Sequence, residues 1–209
     1  MSPLKKTTIK IAMLFGLLFA QANVQLHYDI ERQFPTSTIE MFKLDDLGST
    51  FFFVDFDYDD GSAPTMSYWE ISRTINIKKN IGLGMQYNGG LDTFGSFEPA
   101  YLIGVEHSTE IKGTNLSSSV WGRYTGEYYG WQFTGVWFTP ISKKISFTGF
   151  FDLWNNPNSN QLIWMTEPQL WYSFGNLSIG GEIEISKNFV WGAGEDIQVM
   201  PTLGVKWEF

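Results

Sequence analysis

The chain has 209 residues, of which 43% are apolar, 17% aromatic, 17% charged and none cysteine. That length suits one domain with a sizeable core. The aromatic content excludes a disordered chain, and the missing cysteine excludes a disulfide scaffold or a thiolate zinc site. A net charge of −8 argues against nucleic acid as a partner, which would require a basic face to meet phosphates.

The first 22 residues have the form of an export signal. Lys5, Lys6 and Lys10 form a basic stretch, Ile11 to Ala20 an apolar one, and Ala20-Gln21-Ala22 a site for signal peptidase. About ten apolar residues are too few to span a bilayer core of roughly 30 Å. Cleavage after Ala22 is expected, and losing the three lysines takes the net charge from −8 to −11. No cysteine follows to carry a lipid anchor.

Beyond that point apolar and polar residues alternate in runs of about ten, split by turn residues, which reads as β-strands. Strands are expected near 24–32, 36–43, 49–58, 66–78, 80–90, 98–107, 114–127, 129–139, 144–154, 162–174, 176–187 and 197–209. In the last, Ile197, Val199, Pro201, Leu203, Val205, Trp207 and Phe209 share one parity. Connections such as Lys78-Lys79-Asn80 and Phe174-Gly175-Asn176 are short, whereas Asp59 to Pro64, Asn155 to Asn160 and Asn188 to Asp196 make longer tips. Two connections break that alternation: a tight turn at Tyr128 and a longer one from Ser108 to Gly113. The expected fold is all-β, a 12-stranded antiparallel transmembrane barrel with short turns at the periplasmic end.

A soluble sandwich would point its apolar parity inward. Twelve faces of large apolar residues cannot fit inside one closed barrel, so this parity faces lipid. Tyr68-Trp69, Tyr128-Tyr129, Trp171-Tyr172 and Trp207 lie near strand ends, as interfacial girdles do. Phe209, with Trp207 and Val205 on its face, resembles the terminal signal read by the barrel assembly machinery. The mean hydropathy of −0.13 is then the average of two extreme faces.

The polar parity lines a lumen. It carries Glu40, Asp55, Asp57, Glu70, Glu106, Asp152, Glu167, Glu182 and Glu184 against few cations, chiefly Arg123 and Lys206. Phe51, Phe53, Tyr68, Trp121, Phe150 and Trp171 are interleaved with them. Such a passage favours neutral or cationic solutes with flat rings and disfavours anions.

Several stretches carry a family resemblance: Thr38 to Lys43 with Gly48 to Asp55, Tyr68 to Arg73, Gln86 to Leu91, Glu167 to Trp171, and Pro201 to Trp207. Together they resemble the nucleoside-specific Tsx-like outer-membrane channels, and most specifically the branch of that superfamily filed as a domain of unknown function. The resemblance implies a monomeric bacterial outer-membrane barrel whose narrow lumen binds nucleosides through aromatic and ionisable groups. Glu40, Phe42, Asp55 and Glu70 are the positions it implies for that lumen. On this reading a base stacks on Phe53, Tyr68 or Trp121, and ribose hydroxyls donate to Glu70, Asp55 or Glu167. No cofactor or metal is implied, and the partners are outer-membrane lipid, the assembly machinery and a small solute.

Two other readings stay open. One is a structural or adhesion-type barrel without conductance. The other is a lipid hydrolase, which would require a histidine beside a serine. Only His27 and His107 are available, the first near the periplasmic rim and the second at a strand end. The run Asp55 to Asp60 places two carboxylates inward and two at an exposed tip, where a loosely held ion is conceivable.

Overall fold

The computed structural model describes residues 20–59, 61, 63–126, 128–156, 161–190 and 196–209. Residues 1–19 of the expected signal, Asp60 of the acidic tip, and parts of the loops at 157–160 and 191–195 lie outside the described residues. Residues Ala20–Ala22, assigned above to the cleavage site, begin the first strand and pair with Lys43, Phe42 and Met41.

The strands are β1 (Ala20–Asp29), β2 (Pro35–Asp45), β3 (Gly48–Asp57), β4 (Met66–Lys78), β5 (Ile81–Asp92), β6 (Gly95–Ser96), β7 (Ala100–Ile111) and β8 (Thr114–Thr125). They continue with β9 (Tyr128–Pro140), β10 (Ile145–Asn156), β11 (Gln161–Thr166), β12 (Gln169–Phe174), β13 (Leu177–Lys187) and β14 (Ile197–Glu208). Each long strand pairs antiparallel with its neighbours in sequence, and β14 returns to β1, with Trp207 opposite Val24 and Leu203 opposite Tyr28. Two of the fourteen are not separate staves. β6 is a two-residue spur on β5, and β11 with β12 forms one stave against both β10 and β13. The result is a closed twelve-stranded barrel.

The expected 162–174 strand is therefore interrupted, at Glu167-Pro168. Proline has no N–H for the ladder, so the regular pairing lapses there. It does not slip: Glu167 N–H still donates to Phe150 O at 3.1 Å, and Ile183 N–H to Pro168 O at 3.1 Å. A second difference concerns 108–113, expected as a long connection. β7 runs on to Ile111 and meets β8 through Lys112-Gly113 alone. Both residues have positive φ (51° and 81°), the twist that a two-residue hairpin requires. All periplasmic connections are thus short, and the Gly126 turn remains the one tight connection at the outer end.

Burial is inside out. Leu26, Ile103, Val120 and Leu203 are 51–67% exposed on the outer surface, while Gln25, His27 and Ser186 are at most 4% exposed within. In water this would expose a large apolar area; in a bilayer it is the stable arrangement, because the closed ladder leaves no backbone edge unpaired. Outward rings Tyr87, Tyr101, Tyr124 and Tyr129 touch in succession at 5.2, 6.4 and 4.9 Å, forming a girdle near the outer end of four adjacent staves. Trp207 and Phe209 face outward at the periplasmic end, where Phe209 N–H donates to Ala22 O at 3.0 Å. Tyr68 and Trp171, expected both near the girdles and on the lumen parity, point into the lumen, leaving Trp69 and Tyr172 as the outward members of those pairs.

Candidate functional site

The register brings the polar parity of every stave to the lumen. On one wall the β4 carboxylate Glu70 accepts three hydrogen bonds: from Tyr68 Oη at 2.7 Å, Asn88 Nδ2 at 2.7 Å and Gln86 Nε2 at 2.8 Å. Three charge-accepting contacts fix this group in one orientation. Beside it Phe51, Phe53 and Tyr68 form a row of rings with successive centroids 6.0 Å apart, set by their i, i+2 and cross-strand placement.

Arg123, on β8, faces the same wall. Its guanidinium lies 5.3 Å from the Trp154 ring, within the field of Glu70 and Asp152, and its Nε is buried without a hydrogen-bond partner. Trp154 shares the inward parity of Asp152, so the alternation already held its signal.

Trp121, expected as a stacking platform, is only 4% exposed. Its ring lies on Gly104 of the adjacent β7 and Gly84 of β5 beyond it, positions without side chains, and its Nε1 donates to Thr134 Oγ1 at 3.2 Å. It forms wall, leaving Phe53, Tyr68 and Trp154 as the half-buried rings of this region.

The opposite wall is a continuous hydrogen-bonded chain. Asn23 Nδ2 donates to Glu40 Oε1, Gln25 Nε2 to Asn23 Oδ1, and His27 links Gln25 Oε1 with Thr202 Oγ1, all at 2.9–3.0 Å. His27 sits two residues from the outer end of β1, not near the periplasmic rim, and stands edge-on to Trp171. Lys206 Nζ caps the same indole at 4.6 Å. Phe42 lies on the inward parity opposite Phe51, towards the periplasmic mouth.

Between the walls, Asp55, Glu167 and Glu182 come from β3, the β11–β12 break and β13, and act on one another through their charges. Thr38 Oγ1 donates to Asp55 and Gln169 Nε2 to Glu182 at 2.9 Å, and Arg32 is a cation whose charge reaches Glu167. Arg32 itself sits in the outer turn, because β1 ends at Asp29 and not at the expected residue 32, whose strand parity would have pointed Arg32 to lipid. It bonds Asp29 at 2.6 Å and approaches Glu184 at 3.8 Å. Burial works against its charge, but the Asp29 hydrogen bond and the Glu184 charge outweigh this and raise its pKa.

Residues 20–209 match the model of a family described as a domain of unknown function, DUF5020. The chain belongs to the DUF5020 family. No curated protein sequence matches it significantly. Among solved structures the DUF5020 barrel is similar to the NanC porin, with TM-score 0.63 and 11% identity over 90% of this chain and 100% of that one. It is also similar to the KdgM porin in complex with disordered oligogalacturonate (TM-score 0.58, 9% identity, 90% and 99% covered). A third is the outer membrane phospholipase A from Escherichia coli (0.53, 10%, 90% and 92%). At such identities the likeness is one of fold. With its lipid-facing apolar band, this fold places the DUF5020 protein in the outer membrane.

Proposed function

We propose that the protein is a passive outer-membrane channel for small neutral or cationic solutes, with nucleosides as the ring-bearing class it fits best. The observation that carries this reading is the facing set Asp55, Glu167 and Glu182 beside the ring row Phe51, Phe53 and Tyr68. Carboxylates without matching cations attract positive or hydroxyl-rich solutes, and rings stack on flat bases. The KdgM structure holds an oligogalacturonate, a polyanion for which this lumen carries the wrong sign. Glu70 accepts from ribose hydroxyls and Arg123 donates to a base carbonyl, each weakly enough to permit release. The hydrolase reading loses support, because among the described residues neither histidine hydrogen-bonds a serine. His27 is held by Gln25 and Thr202, and His107 faces lipid in mid-strand on β7.

The test is conductance in planar bilayers. A cation-preferring current that falls when millimolar nucleoside is added is the expected result. Current indifferent to nucleosides removes the nucleoside assignment while leaving the channel; a silent barrel removes both.

A further inference from the structure

The outer surface carries a feature that solute passage does not use. Low on the lipid-facing side of β7 to β10 lies a groove of about 290 Å³. Ser118 and Gly135 are the small residues that leave the space, Leu116, Trp137 and Phe151 are its apolar sides, and His107 is a polar member of its lining. An acyl chain fills such a space, whereas an imidazole and a hydroxyl on a lipid-facing wall call for polar partners from the lipid itself.

A second, independent observation lies directly below. The three periplasmic turns of this sector are Lys78-Lys79-Asn80, Lys112-Gly113 and Ser142-Lys143-Lys144. All five lysines are exposed, and the acid flanking them, Glu110, lies on the inward parity of β7. Lys144 Nζ lies 5.8 Å from the outward ring of Tyr172, which shows its ammonium running along the perimeter rather than into the mouth. Leu116 is four residues from Lys112, a height of roughly 10 Å on a tilted strand. That offset matches a lipid whose phosphate meets the lysines while a chain enters the groove.

We infer that this sector is a binding site for an anionic glycerophospholipid of the periplasmic leaflet. Clustered ammonium groups at a membrane surface each favour an anionic headgroup. The groove supplies retention and the turns supply headgroup choice, so the two halves separate by mutation.

The experiment uses the purified full-length protein in detergent, equilibrated with phosphatidylglycerol or phosphatidylcholine, and counts retained lipid by native mass spectrometry. Phosphatidylglycerol should be retained at least about tenfold better. Lys112→Glu with Lys143→Glu and Lys144→Glu should abolish that preference, with the corresponding glutamine variant as a milder control. Gly135→Leu should weaken retention of both lipids and keep the preference. A Cβ at Gly135 meets only the Phe133 ring, at 3.6 Å, so the barrel tolerates it. Heat-modifiable migration confirms that each variant is folded. Equal retention of both lipids by the unmodified protein overturns the site. So does a Gly135→Leu protein that holds phosphatidylglycerol fully, or lysine variants that keep the full preference for phosphatidylglycerol. Conductance is not read in this assay, so its outcome is independent of the channel assignment.

Discussion

Replacing Asp55, Glu167 and Glu182 together by their amides is expected to cut the cation-to-anion permeability ratio by roughly tenfold or more. Each carboxylate near the path of a passing cation contributes on the order of 1 kcal/mol in a water-filled lumen, and salt reduces this. Among the described residues none of the three forms an ion pair with a lysine or arginine, so no local partner cancels their charge. Reversal potentials under a salt gradient measure the effect. An unchanged potential would show that ions pass elsewhere or that the lumen is plugged. Glu70→Gln should change selectivity much less, because three donors already occupy that carboxylate. It should instead weaken block by nucleosides.

The second large effect concerns assembly. Gly104→Val is expected to prevent formation of the folded barrel, whereas Gly135→Val should leave it intact. A Cβ at Gly104 lands 2.1 Å from Val120 O and 2.8 Å from the Trp121 ring, and neither a ladder carbonyl nor a buried indole can yield. Overpacking of this kind costs more than about 3 kcal/mol. At Gly135 the nearest atom is 3.6 Å away. Heat-modifiable electrophoresis of both variants decides the matter, and two equally folded proteins would contradict the tight seating of Trp121. The comparison separates glycines that hold space for a ring from those that merely lie in a strand.

That distinction also marks what could be read without coordinates. The side of the wall on which Glu40, Asp55, Glu70, Glu167 and Arg123 fall follows from parity, a local property, and each lies on the side expected. What covers Trp121 depends on the register of β5 and β7 against β8, set by pairing between staves and invisible in any single run. Tyr68-Trp69 and Trp171-Tyr172 each offer one ring to either face, and parity assigns Tyr68 and Trp171 to the lumen, where they lie. The Arg32–Asp29 pair is hidden for another reason: alternation carried on to residue 32 turns Arg32 outward, and only the end of β1 at Asp29 brings it back over the mouth. The length of β7 was underestimated because His107 to Ile111 is polar enough to look like a loop until Lys112-Gly113 is seen to turn by itself.

The uneven sorting of charge from end to end has an electrical consequence. Asp29, Asp57 and Glu184 crowd the outer mouth around Arg32, while Lys78, Lys79, Lys112, Lys143 and Lys144 line one sector of the opposite rim. A conduit acidic at one end and basic at the other behaves as a diode. Mobile ions of both signs accumulate within it under one polarity and are swept out under the other. Rectification should therefore accompany conduction, with the larger current when the outside is positive. A straight current–voltage line from oriented single insertions would show that the lysines stand too far from the axis to shape the flow.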